Sequence, residues 1–232
     1  MKAPFVFPQK TSEIKTSGLV LSRTNYGEAD RILSIITPEG KISAIVKGVR
    51  RPKSKLAGGV ELFTLSDVIV HFGHGELGIV TSAKMKKHYG NILKDYHQIE
   101  LTSEILKKVS RVSENSDAPE YFSLVKQSFE ALNEGVDTRV VEAWFDLNLL
   151  ATMGEEPNFY RDENGEKLDA TMRYEWNAME KAFSRRENGR YGADEIKILR
   201  LMVTAELKIV MKVKNLDERM PDILKIVQLM VK

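Results

Sequence analysis

Cysteine is absent from this 232-residue sequence. That excludes disulfides, thiolate metal sites and thiol nucleophiles together. Histidine is scarce, at four residues, so a zinc site would have to be built from few imidazoles and from carboxylates. No apolar run approaches the roughly 18 residues that a membrane-spanning helix needs. The opening stretch MKAPFVFPQK has its apolar patch broken by Pro4 and Pro8 and shows no small-residue cleavage site, so it reads as no secretory signal and a cytoplasmic protein is expected. Familiar catalytic patterns are missing too. No serine sits in a GxSxG elbow, and no pair of carboxylates stands apart from the general acidic surface. These absences turn the search away from an enzyme and towards binding.

The charge is unevenly spread. Residues 1–90 hold 14 Lys and Arg against 7 Asp and Glu, a net +7, while the remainder is −5. A basic front half points to an anionic partner there. The front half also has the period of strands. Runs at 18–26, 30–38, 41–49, 63–72 and 77–87 are rich in β-branched and aromatic residues or alternate polar with apolar, with turn signals between them. Five short strands in about seventy residues predict a small barrel, of the OB type that suits oligonucleotides or of the SH3-like type. After about Tyr89 the period becomes helical, at 97–113, 119–133, 138–154, 176–187, 193–213 and 220–232. The segment 138–154 is apolar around most of its circumference and predicts the buried centre of a second, helical domain. Within 155–174 the Asn164-Gly165 pair predicts a tight hairpin.

Three motifs have duller explanations. Gly73-His74-Gly75-Glu76-Leu77-Gly78 matches GxGxxG, but IVTSAKM after it is strand-like, so the loop lacks the helix N-terminus that would meet a pyrophosphate and reads as a hairpin turn. His71 and His74 have no third ligand near them in sequence. Asp162, Asn164 and Asp169 lack the spacing of a calcium loop. The run Lys47, Arg50, Arg51, Lys53 and Lys55 is of another kind. Five cations fall within nine residues with no acid among them, and Pro52 with Gly48 keeps the stretch out of a helix. A loop of this kind between barrel strands is what a phosphate backbone would meet. Tyr26, Phe63 and Phe72 are candidate platforms for base stacking, with core packing as the competing reading, favoured for Phe63.

The same residues carry a family resemblance. Gly18 to Leu21, Tyr26-Gly27-Glu28-Ala29-Asp30-Arg31-Ile32, Gly40-Lys41, Lys47-Gly48-Val49-Arg50-Arg51-Pro52-Lys53-Ser54 and Leu56 to Leu65 resemble, in order and spacing, the N-terminal domain of RecO proteins. Beyond about residue 85 the likeness rests on the helical pattern and on Asp146 to Leu150, Gly154 and Pro157. The resemblance implies a multi-domain α+β chain: an N-terminal extension (1–15), a five-stranded OB-fold barrel (16–87) and an all-α helical domain (88–232) with a hairpin-like insertion around 157–174. It implies a non-enzymatic protein of the RecF pathway, in the cytoplasm with the nucleoid. Such a protein binds single- and double-stranded DNA, anneals strands and, with RecR, helps load RecA onto DNA coated by single-strand binding protein. The competing functions are an adaptor whose basic loop docks an acidic partner and a nucleotide-binding enzyme. Arg31, then Arg23 and Lys41, join the basic loop as expected DNA contacts, with Tyr26 and Phe72 as stacking candidates. Lys208, Lys212 and Lys214, beside the apolar stripe of a long helix at 193–213, are candidates for a partner's acidic tail. Many RecO proteins carry a four-cysteine zinc element in the region matching 158–175. This chain has none of those cysteines, so no zinc and no other cofactor is expected.

Overall fold

The computed structural model describes residues 12–114 and 118–231. Five strands form first: β1 (Ser12–Tyr26), β2 (Asp30–Thr37), β3 (Gly40–Val46), β4 (Thr64–Phe72) and β5 (Leu77–His88). They close into a barrel in the order β1-β2-β3-β5-β4. The long β1 makes closure possible. Its first half pairs with β4 and its second half with β2, Leu19 lying opposite both Leu65 and Ile36. A bulge between Val20 and Ser22 bends the strand at the handover. The parallel pairing of Ser43–Ile45 with Leu77–Ile79 completes the ring. This is the OB arrangement, and it decides between the two barrel types that periodicity left open.

Alternation along the strands fills the interior. Val20, Leu33, Ile35, Ile42, Ala44, Val46, Val68, Val70, Phe72 and Val80 form one cluster, each almost wholly buried. Burial of each larger side chain contributes about 1.5–3 kcal/mol. Packing is close enough that a Cβ built on Gly78 would lie 2.4 Å from Val70 Cγ1. The GxGxxG segment is thus a turn between antiparallel β4 and β5, with one glycine required by the core.

The helices follow: α1 (Tyr96–Val112), α2 (Glu120–Asn133), α3 (Thr138–Thr152), α4 (Ala193–Thr204), α5 (Leu207–Val210) and α6 (Leu216–Met230). The chain divides into two compact units, one up to Asn133 and one from Glu134. In the first, α1 and α2 pack on the barrel. Phe129 of α2 meets the rings of Phe63 and Tyr89 at centroid distances of 6.0 and 5.4 Å. In the second, α3 is central as expected. Trp144, Phe145 and Leu147 are buried, and Trp144 Nε1 donates to the Ala205 carbonyl (3.0 Å).

Two helical expectations are corrected in this second unit. Residues 176–187 are not helical: β6 (Tyr174–Asn177) and β7 (Ala182–Arg185) form an antiparallel hairpin. Phe183 anchors it among Phe159, Tyr174, Trp176 and Tyr191, all within 6.2 Å by ring centroid. That aromatic cluster outweighs the local helical period. The expected tight turn at Asn164-Gly165 is present just before it. Gly165 takes φ +79°, and Asp162 Oδ1 accepts from the Asn164 and Glu166 amides. The segment 193–213 is not one long helix either, since α4 ends at Thr204 and α5 is a single short turn. Among the described residues no helix is long and apolar enough to cross a membrane.

Candidate nucleic-acid interface

The cationic run lies in the connection from β3 to β4, and its shape is set by the neighbouring β1–β2 hairpin. Gly48 takes φ +63°, a conformation that costs glycine little, and its amide donates to Asp30 Oδ1 (2.7 Å). The Arg50 amide donates to the Ala29 carbonyl (2.9 Å), and its guanidinium reaches the Gly27 carbonyl (3.4 Å). Two further backbone bonds, Arg51 to Gly48 and Ser54 to Arg51, fold the run into successive turns. The loop is therefore bonded to the hairpin tip while its charges point to solvent. Lys47, Arg50, Arg51, Lys53 and Lys55 are all exposed. Among the described residues none of the five has an ion-pair partner. Tyr26, 55% exposed, stands on the hairpin that holds the loop.

The other expected contacts are placed differently. Arg23 and Arg31 converge on a single carboxylate, Glu61: Arg23 pairs with one oxygen and Arg31 with the other at 3.1 Å. Both guanidiniums are about three-quarters covered. Burial, then the nearby charge of Arg31, lowers the Arg23 guanidinium from its ordinary value. The cluster carries a net +1 rather than +2. Lys41 is turned to the end of α1, where its Nζ donates to the Ser110 carbonyl (3.2 Å) and lies 3.9 Å from Glu114. A lysine there neutralises the negative end of the helix, and its side chain is only 17% exposed. Phe72 is a correction. It is 3% exposed within the barrel cluster, on the same face of β4 as Val68 and Val70, so its ring has no free face for a base.

Lys208, Lys212 and Lys214 do not share a helix face, because the chain turns after Val210. Lys208 is paired with Glu206 (2.6 Å). A cleft in this unit is lined by Met211, Val213, Asn215 and Leu216 and bears Asp137, Asp217 and Glu218. An acidic tail entering it would meet carboxylates. No group of three metal-ligating side chains is found among the described residues. His71 Nε2 instead contacts Glu13 (2.7 Å).

Three residues were not read from the sequence. Glu61 is the first acid after the cationic run, a signal of its role as counter-ion that position alone offered. Lys107 and Arg111 lie one helical turn apart on the exposed face of α1, a spacing visible in sequence but uninformative until the barrel beside it is known.

Residues 11–89 match the family model for the N-terminal region of recombination protein O, and residues 95–232 match the model for its C-terminal region. The chain is 32% identical over 168 residues to the DNA repair protein RecO of Dehalococcoides mccartyi (strain CBDB1), covering 71% of this chain and 66% of that protein. It is 34% identical over 148 residues to the protein of that name from Acetivibrio thermocellus, covering 62% and 58%, and 30% identical over 147 residues to that from a Roseiflexus species, covering 63% and 52%. The matched stretch thus spans less than two thirds of these relatives' length.

Proposed function

The chain belongs to the RecO family, and from that premise we infer that it serves DNA repair and recombination by holding DNA on the β3–β4 loop and the β1–β2 hairpin. The observation that supports this best is the set of five exposed, unpaired cations on a loop whose backbone is bonded to that hairpin. Phosphates would be neutralised there without regard to sequence. Tyr26 would stack on a base of an unpaired strand. Two strands gathered on one cationic surface repel each other less and meet at a higher local concentration, which is sufficient for annealing. Such a mechanism calls for no general acid, base, nucleophile, metal or cofactor, so the protein acts as a mediator and not as an enzyme. In this reading it works with RecR to load RecA onto DNA coated by single-strand binding protein. In the same reading the unit from Glu134 onwards serves as the partner platform, without the Lys208, Lys212 and Lys214 cluster, which the turn after Val210 disperses.

The test is annealing of two complementary labelled oligonucleotides followed by energy transfer. The parent protein accelerates annealing, and Arg50→Ala/Arg51→Ala removes most of the acceleration. Equal acceleration by both proteins would take the activity away from this loop.

A further inference from the structure

Beside β1, within the first unit, lies a cleft of about 670 Å³, in the size range of small-ligand sites. Its floor is apolar, made of Leu21, Leu62, Phe63 and Leu106. Its rim carries Lys107 and Arg111, both exposed and without ion-pair partners among the described residues, and one acid, Glu114, whose charge is offset by Lys41 at 3.9 Å. Ser22 and Ser110 line it, and their hydroxyls make no hydrogen bond among the described residues. Phe63 is held with φ +59°, a left-handed conformation that strains a bulky residue and persists only where its surroundings impose it. Here the Tyr89 amide on its carbonyl (2.9 Å) and the Phe129 ring hold it in place.

Resting on the DNA reading above, we propose that this cleft receives an unpaired nucleobase, with Lys107 and Arg111 on the flanking phosphates, and so gives the surface a preference for single strands. Continuity carries the assignment. From the cationic loop a line of contacts runs through Asp30, which holds Gly48, to its neighbour Arg31, then through the shared Glu61 to Arg23. Ser22 and Leu62, the chain neighbours of Arg23 and Glu61, line the cleft. A single strand leaving the loop therefore has cations along its way and an apolar recess beyond them. A base in duplex cannot enter, because its faces and its pairing edge are already used. The free serine hydroxyls can donate to or accept from any base edge, so the recess would tolerate all four bases.

The experiment compares Ser22→Ile/Ser103→Leu, which narrows the cleft without changing charge, with the parent protein on three probes: oligothymidylate, an abasic strand of equal length, and a blunt duplex. Unchanged thermal unfolding verifies the fold of the variant. The parent is expected to favour oligothymidylate over the abasic strand. The variant loses about tenfold of that preference, the size of one stacking contact, and keeps its affinity for duplex within about twofold. Equal losses on all three probes, or no loss on any, overturn the base cleft and leave the loop reading standing. A failure of the parent to bind any of the three overturns the DNA reading as well. A short acidic peptide with an apolar end that binds the parent, fails to bind the variant and leaves oligothymidylate affinity unaffected would assign the cleft to a protein partner instead.

Discussion

Removing the two arginines of the cationic loop should change how DNA binding responds to salt, by an amount the structure sets. Lys47, Arg50, Arg51, Lys53 and Lys55 are exposed and unpaired among the described residues, so each is free to take one phosphate. At about −0.7 per phosphate of a single strand, five contacts give a slope of about −3.5 in log K against log salt. Arg50→Ala/Arg51→Ala leaves three contacts and a slope of about −2.1. Between about 50 and 200 mM salt the parent then weakens about 130-fold and the variant about 20-fold. The loop itself should survive, because the Arg50 amide still donates to Ala29 and the Gly48 amide to Asp30. The assay is anisotropy of a labelled oligonucleotide across a salt series. Tyr26→Ala is the control: losing a stack lowers affinity by about 1–3 kcal/mol at every salt concentration and leaves the slope alone. A variant line parallel to that of the parent would refute the reasoning, since the arginines would then release no counter-ions on binding.

Three further outcomes follow from other residues. Glu61→Gln frees Arg23 and Arg31 from their shared carboxylate, so the slope in the same titration should steepen by about 0.7–1.4. The stability change should stay within about 1 kcal/mol because the cluster is partly exposed, and an unchanged slope would show that these arginines do not reach DNA. Tyr89→Phe should stabilise the protein by about 1 kcal/mol in urea unfolding, since the Tyr89 hydroxyl is buried without a hydrogen-bond partner, and a loss of stability would reveal one. Burial pushes the Glu195 carboxyl up, but the Gly192 amide and Arg219 outweigh it and hold it below the usual carboxylate value. Its stabilising effect is therefore complete above about pH 4.5 and is lost as pH falls through the depressed folded value. Glu195→Gln should cost about 1–3 kcal/mol at neutral pH, with the gap to the parent closing in acid.

The barrel was legible because strand alternation is a local signal. All five runs appear within a few residues of their expected ends, β1 alone extending six residues earlier, to Ser12. The cationic loop was legible for the same reason, its charges being consecutive and its helix excluded by Pro52 and Gly48. The β6–β7 hairpin was not, because its cause is Phe183 packing on four rings, from Trp176, 7 residues away, to Phe159, 24 residues away, and hydrophobic periodicity does not report such contacts. Nothing in the residues around Ala205 announces the end of α4. The Ala205 carbonyl is taken by Trp144, 61 residues earlier. The partner of Lys41 is equally remote, lying 69 residues on at the end of α1. The burial of Phe72, by contrast, was available from the strand period, which places it in step with Val68 and Val70.

Asp30 bears one negative charge at the edge of the cationic loop, and by itself it should repel the anions proposed to bind there. Its carboxylate is spent on the Gly48 amide, however, and so helps to set the path of a loop that carries five positive charges. An incoming strand has only side chains to order there, the backbone having been fixed when the protein folded. On the proposed reading, the affinity of the loop for phosphate would in this sense be partly owed to an acid.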